Sequence, residues 1–108
     1  NNTVIGNNAL SLATNSINNV IIGNNTGNNI TNAGNTVLIG TNSGQNLDII
    51  GNSVMIGTNA GQGNTAGNAV LVGYSAGVNN TSQHAMGIGY NAARACISVE
   101  LLQVRHCV

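Results

Sequence analysis

A short apolar step that ends in glycine repeats along most of the chain. Val37-Leu38-Ile39-Gly40 is typical, and mostly small or polar residues separate one step from the next. Self-similarity at a short fixed period indicates one structural unit stacked on copies of itself. The step glycines are spaced by 17, 17, 17, 16 and 16 residues: Gly6, Gly23, Gly40, Gly57, Gly73 and Gly89.

Each step predicts a short β-strand, because aliphatic and β-branched residues favour strands and glycine ends them. Glycine and asparagine recur too often between the steps for an apolar stripe of helical period. The sequence therefore predicts an all-β fold, a parallel β-solenoid or β-roll of about six turns of 16–17 residues over residues 1–93. At the strand spacing of about 4.7–4.9 Å, such an array is roughly 25–30 Å long.

The middle residue of each step predicts a contact with a second molecule. It points opposite to its two neighbours, and an outward-facing residue of a solenoid in water should be polar. Apart from Gly87, the middle residues are aliphatic: Val4, Ile21, Leu38, Met55 and Leu71. We expect them to form a homo-oligomer interface. Burial of these side chains would stabilise the oligomer by at most about 7–15 kcal/mol per chain. The alternative is a wide solenoid that buries both faces of the strand within one chain.

The residues after each step predict tight corners. The glycine that ends each step indicates a positive φ or a close approach of the backbone to a neighbour. Ser75 and five asparagines stand two positions after a step glycine: Asn8, Asn25, Asn42, Asn59 and Asn91. Stacked asparagines can form a ladder of side-chain amide bonds, and asparagine also tolerates the left-handed conformation of a turn. The two explanations are compatible.

Residues 94–108 differ from the array and predict a separate cap or tail. They lack Asn and Gly and contain three of the four charged side chains and both cysteines of the chain. The alternation of Ile97, Val99 and Leu101 suggests a strand, although a helix is also compatible with the sequence that follows. Cys96 and Cys107 leave a disulfide and two free thiols equally open.

Composition limits the classes of partner. Two basic and two acidic side chains give a net charge of zero, so the chain has no electrostatic footprint for nucleic acid or an anionic membrane. The apolar runs are too short to cross a bilayer, and we expect no membrane insertion. No charged segment followed by an apolar one opens the chain, so no signal peptide is visible. A segment of a longer protein would show the same pattern.

The sequence offers no support for catalysis. Asp48 and Glu100 are the only carboxylates and do not recur with the repeat, so paired acid–base chemistry is not indicated. His84 stands where other turns have asparagine, and the spacing of Cys96 and His106–Cys107 matches no zinc site. We expect no enzyme activity, no cofactor and no metal.

Several asparagines lie in Asn-x-Ser/Thr sequences, the acceptor pattern for N-glycosylation. An Asn/Thr-rich chain also produces this pattern by chance. If they lie on exposed turns of a secreted protein, they are candidate acceptors: Asn1, Asn24, Asn29, Asn79 and Asn80.

Two groups of known repeats resemble this array. The stretches 35–40 and 52–57, Asn-Thr-Val-Leu-Ile-Gly and Asn-Ser-Val-Met-Ile-Gly, resemble the head repeats of YadA-like trimeric autotransporter adhesins. The stretches 2–10 and 88–92 look more like repeats of bacteriophage and giant-virus tail-fibre proteins. The first resemblance implies left-handed β-rolls wound from three chains. The period here is longer than the usual adhesin-head repeat, and residues 94–108 match neither group.

These features together predict a structural, non-enzymatic segment of a fibre or adhesin at an extracellular, cell or virion surface. The resemblance implies a homotrimer that attaches to a cell-surface receptor or glycan. A self-polymerising extracellular filament subunit is the alternative, because the open ends of a solenoid expose unpaired strand edges. An ice- or surface-binding solenoid is a third. It requires a regular threonine array, and the position after each step glycine varies: Asn7, Asn24, Thr41, Thr58, Tyr74 and Tyr90.

Overall fold

The computed structural model describes residues 1–65 and 67–94, with the backbone alone at Ile49. The predicted tail, including Cys96, Ile97, Val99, Glu100, Leu101 and His106–Cys107, lies outside the described residues except for Arg94. The described part is all-β, without a helix among these residues, and its strands are β1 (Asn2–Ile5), β2 (Asn19–Ile22), β3 (Asn32–Gly34), β4 (Val37–Ile39), β5 (Ile49–Gly51), β6 (Val54–Ile56), β7 (Val70–Val72) and β8 (Met86–Ile88).

The six apolar steps form one parallel sheet, here called the long sheet, in the order β1-β2-β4-β6-β7-β8. The register follows the sequence repeat, so that Leu38 pairs with Ile21 on one side and with Met55 on the other. β3 and β5 form a second parallel pair, the short sheet, and Ile17 extends it by a bridge to Gly34. The predicted β-solenoid is confirmed, with about five stacked turns in the described residues.

We call each full turn of the solenoid a coil and number the coils along the chain; their lengths differ by one residue. Coils 1–3 span residues 2–18, 19–35 and 36–52, coils 4 and 5 span 53–68 and 69–84, and residues 85–94 begin a further coil. The Cα atoms extend over 32 × 21 × 17 Å. Six strands stacked at about 4.8 Å span roughly 24 Å.

The step glycines allow consecutive coils to approach closely. Their φ angles lie between 125° and 137°, a range that residues with a Cβ rarely adopt. An ideal Cβ on Gly40 would lie only 2.6 Å from the carbonyl oxygen of Gly57 in the next coil. Positive φ and close packing of the backbone therefore act together at this position.

The middle residues of the steps are inside the solenoid. Ile21, Leu38, Met55 and Leu71 are each 0% exposed within the single chain. The expectation that they form an oligomer interface is therefore wrong: the hollow of the solenoid has to be filled by side chains of its own strands, and these residues fill it. Val4 belongs to the same column and is 42% exposed because it lies in coil 1, at the end of the stack.

The change in coil length occurs on the side of the solenoid opposite the long sheet, where the core residue and the local structure differ between coils. Its core position is occupied by Ile30 and Leu47 in coils 2 and 3, and by Asn64 and Asn80 in coils 4 and 5; all four are buried. Asn80 Nδ2 donates to Asn64 Oδ1 at 3.0 Å and to the carbonyl oxygen of Ser82 at 3.2 Å. Asn80 Oδ1 accepts from the Ser82 N–H at 3.2 Å. In the shorter coil 5, an amide side chain thus holds the turn where coils 2 and 3 have a strand.

Candidate interaction face

The outer surface of the long sheet is apolar. The two residues that flank each middle residue point outward, and in β2, β4, β6 and β7 they are half-buried. At the two ends of the sheet, Ile5 and Ile88 are 58% and 61% exposed. We call this surface the aliphatic face, and it consists of Ile5, Val20, Ile22, Val37, Ile39, Val54, Ile56, Val70, Val72, Met86 and Ile88.

The prediction that both faces of the strands are apolar is confirmed. The prediction that the middle residues point outward is wrong, since their two neighbours do. The aliphatic face forms two parallel columns that run along the solenoid, one residue per strand in each column, except that Thr3 begins the first column. None of the six strands contains a charged residue. All members except Met86 are β-branched, so their χ1 angles are restricted and the surface has little side-chain entropy to lose on contact.

Other surfaces of the solenoid are polar and internally bonded. The Asn18 amide donates to Asn35 Oδ1 at 3.4 Å, and the Asn35 amide donates to Asn52 Oδ1 at 3.3 Å. Asn29 and Asn46 form a similar pair at 3.0 Å. The spacing of 17 residues between these asparagines is a signal in the sequence from which both sets of bonds could have been predicted.

The asparagines two positions after the step glycines are all at left-handed corners. Their φ angles lie between 55° and 60° at Asn8, Asn25, Asn42, Asn59 and Asn91. Asn8 Nδ2 donates to Asn25 Oδ1 at 3.2 Å, so the amide ladder occurs at this pair. The left-handed conformation is common to the whole column and explains why the position accepts asparagine in five coils.

A pair of tyrosines lies beside one end of the aliphatic face. The rings of Tyr74 and Tyr90 are stacked, with centroids 5.4 Å apart and an angle of 8° between their planes. They are 49% and 72% exposed, and each follows the step glycine after Val72 or Ile88. The stacked pair therefore extends the apolar surface around the corner of coil 5 and of residues 85–94.

The candidate glycosylation positions are not equivalent. Asn1, Asn24, Asn29 and Asn79 are exposed. Asn80 is 0% exposed, and its Nδ2, the atom that would bear a glycan, is bonded to Asn64 and Ser82. The candidate at Asn80 is therefore wrong for the folded chain, because its amide is part of the core.

The described residues contain little that is reactive. They include no group of three or more His, Cys, Asp or Glu side chains that could hold a metal ion. Asp48 is exposed, and its Oδ1 accepts from Thr31 Oγ1 at 2.6 Å. His84 adopts φ of 59° at a corner where coils 1–4 have asparagine. Over the same part of the chain, no helix is long and apolar enough to cross a membrane.

Comparison with known proteins gives no family for the chain: no family model, no curated protein and no solved structure matches it.

Proposed function

We propose that this chain is a structural, non-enzymatic segment of a fibre or adhesin at an extracellular, cell or virion surface, where it mediates attachment. The aliphatic face is the observation that supports this function most directly. It is a continuous apolar strip without charged residues, and such strips often belong to interaction sites. The most economical partner is a second copy of the chain, since most soluble oligomers are symmetric homo-oligomers.

The aliphatic face alone is too small for a standard interface, so the proposed trimer needs additional contact area. Six strands at about 4.8 Å spacing and two side-chain columns give a strip of roughly 24 × 10 Å. This area of about 240 Å² is well below the roughly 800 Å² per partner of a standard interface. In a trimer around a threefold axis, each chain contacts two others, so the polar ladders beside the strip join the interface. A trimer is also the state that the adhesin-head resemblance implies.

The proposal of attachment rests on the repeat resemblance and on the chemistry of the remaining surface. That surface is uncharged and rich in amides over most of its length, with a single carboxylate, Asp48, among the described residues. Amide side chains and an exposed tyrosine pair are groups that can bind the hydroxyls and apolar faces of sugars. The proposed partners are therefore a cell-surface receptor or glycan as well as copies of the chain.

The native mass of the full chain tests the proposal. We expect light scattering coupled to size exclusion to give three times the mass of one 10.9 kDa chain. Replacing two outward residues, Ile39→Thr with Ile56→Thr, keeps the β-branched shape and adds hydroxyl groups, so this variant should be a folded monomer. The control Asn24→Thr introduces the residue that the same polar column has at Thr41 and Thr58, and it should leave the mass unchanged. A wild-type monomer at all concentrations would contradict the proposal.

A second candidate function is a self-polymerising filament subunit. It is favoured by the β-solenoid fold, since an unpaired strand edge at an open end of a solenoid can pair with another chain. The same light-scattering measurement separates the two candidates. Species of open-ended high mass would favour the filament over a closed trimer.

A further inference from the structure

The residues that directly follow the step glycines form one column along the solenoid. All six are exposed: Asn7, Asn24, Thr41, Thr58, Tyr74 and Tyr90. Main-chain hydrogen bonds between consecutive coils hold this column in register. The carbonyl oxygens of Thr41, Thr58 and Tyr74 each accept an N–H of the next coil at 2.9–3.0 Å. Thr58 and Tyr74 therefore lie one coil apart, which is a distance of about 4.8 Å.

Tyr74 has one aromatic face that another ring covers and one that is open. Its ring stacks on Tyr90 of the following coil, with the two planes nearly parallel. The opposite face of the Tyr74 ring is turned toward coil 4, where the side chain of Thr58 is too short to extend over it. Tyr74 accordingly remains 49% exposed. Because coils 3 and 4 continue the solenoid on this side, the open face belongs to the interior of the array and not to an end.

The spacing of the coils leaves room for one saturated six-membered ring beside the open face. Carbon atoms in contact with an aromatic ring lie about 3.5–4.0 Å from it, and the next coil is about 4.8 Å away. A ring stacked on Tyr74 therefore lies over Thr58, with its far side turned toward Thr41. Each threonine hydroxyl can donate one hydrogen bond and accept others. The site thus combines one apolar wall with two hydroxyl groups.

We propose that the face of Tyr74 turned toward Thr58 binds a neutral pyranose sugar. The face of an aromatic ring is negative, so it attracts the weakly positive C–H groups on the apolar side of a sugar. The sugar hydroxyls bond the hydroxyl groups of Thr58 and Thr41. This inference rests on the proposed attachment function, for which it names the binding site and the class of ligand.

The surroundings of the site favour an uncharged sugar over an acidic one. Asp48 and Arg94 are the only Asp, Glu, Lys or Arg side chains among the described residues, and neither belongs to the column. An acidic sugar would lose hydration at the Tyr74 ring without gaining a paired cation in the column. A β-galactoside fits the geometry, because C3–H, C4–H and C5–H form an apolar patch on one face and the axial O4 lies on the other. With that patch stacked on Tyr74, O4 points toward Thr41.

An NMR titration of the full chain with methyl β-D-galactopyranoside tests the site. We expect saturable shifts of the Tyr74 ring signals and of the Thr58 methyl signal. Saturation transferred from the protein should be strongest at H3, H4 and H5 of the sugar, the atoms of the stacked patch. N-Acetylneuraminic acid, an acidic sugar, should bind at least about tenfold more weakly.

Four single substitutions separate the parts of the site. Tyr74→Thr introduces the residue that the column already has at Thr58, so the variant should fold and lose affinity at least about tenfold. Tyr74→Phe keeps the aromatic face and should bind like the wild type. Thr58→Val keeps the β-branched shape without the hydroxyl and should weaken binding about three- to tenfold. Tyr90→Thr leaves the face turned toward Thr58 in place and is the matched control, which should retain binding.

Absence of saturable binding to the wild type, or equal binding by Tyr74→Thr, would overturn the site. Loss of binding in Tyr90→Thr with full binding in Thr58→Val would also overturn it, because the sugar would then lie on the other side of the tyrosine pair. The native mass distinguishes this failure from that of the proposed function. A trimer that does not bind the sugar contradicts the site alone, whereas a monomer that binds it contradicts the fibre segment and supports the site.

Discussion

The two sides of the solenoid respond differently to the same change in coil length. The long sheet has a strand in every coil and keeps its register from β1 to β8. Among the described residues, the opposite side has the strands β3 and β5 in coils 2 and 3 and an isolated bridge at Ile17 in coil 1. In coil 5, which is one residue shorter, the long sheet is unchanged and residues 83–84 on the opposite side form a turn.

The difference shows which interactions tolerate variation. In a parallel sheet, a shift of one residue turns every side chain to the other face, so aliphatic residues such as Leu38 and Leu71 would leave the core. On the opposite side, the core position can exchange an aliphatic residue for an amide. The change is tolerated because Asn80 bonds both the preceding coil and the Ser82 backbone. A buried amide costs little when each of its hydrogen bonds is made.

The largest difference in stability should appear between two variants that each have one inserted residue, one in the long sheet and one on the opposite side. An alanine inserted after Val54, within β6, shifts the register of the strand, so we expect the chain not to fold. An alanine inserted after Thr65, an exposed position of a short coil, should change the free energy of unfolding by less than about 1 kcal/mol, since loops tolerate insertions. Circular dichroism and urea unfolding of the two variants measure the difference, and equal effects would show that the two sides are not distinct.

A smaller effect should separate the glycines of the two sides. Gly57→Ala places a Cβ 2.5 Å from the carbonyl oxygen of Gly73 at φ of 134°, and we expect it to cost about 3 kcal/mol. Gly34→Ala, in the short sheet, has an ordinary φ and no atom within 4 Å of the new Cβ. It should be neutral or stabilising by up to about 1 kcal/mol, because alanine restricts the unfolded chain. Urea unfolding of both variants would contradict this account if Gly34→Ala were the more damaging change.

The long sheet could be predicted from the sequence because its signal recurs at every step. The spacing of the glycines gave the fold class, and Val37-Leu38-Ile39 gave a strand in the correct register. The direction of the side chains could not be obtained in the same way. All three residues are apolar, so the alternation identifies two faces without indicating that Leu38 fills the core and that Ile39 faces outward.

The opposite side could not be predicted because its sequence changes from coil to coil. β3 is Asn-Ala-Gly, a composition more typical of a turn than of a strand. Its strand depends on pairing with β5 and on Ala33 being buried in the core. The acceptor sequence at Asn80 predicts an exposed glycan site, and this prediction fails because an acceptor sequence contains no information about burial.

The most direct test of the central claim is methyl NMR of the full chain with a soluble paramagnetic agent, at concentrations below and above association. The claim is that the outer columns of the long sheet, and not the inner column, contact another copy of the chain. We predict that the methyl signals of Ile22, Ile39 and Ile56 broaden strongly in dilute protein and become protected on association, while Leu38 is protected throughout. Persistent broadening of Ile39 and Ile56 in the associated state would contradict the account.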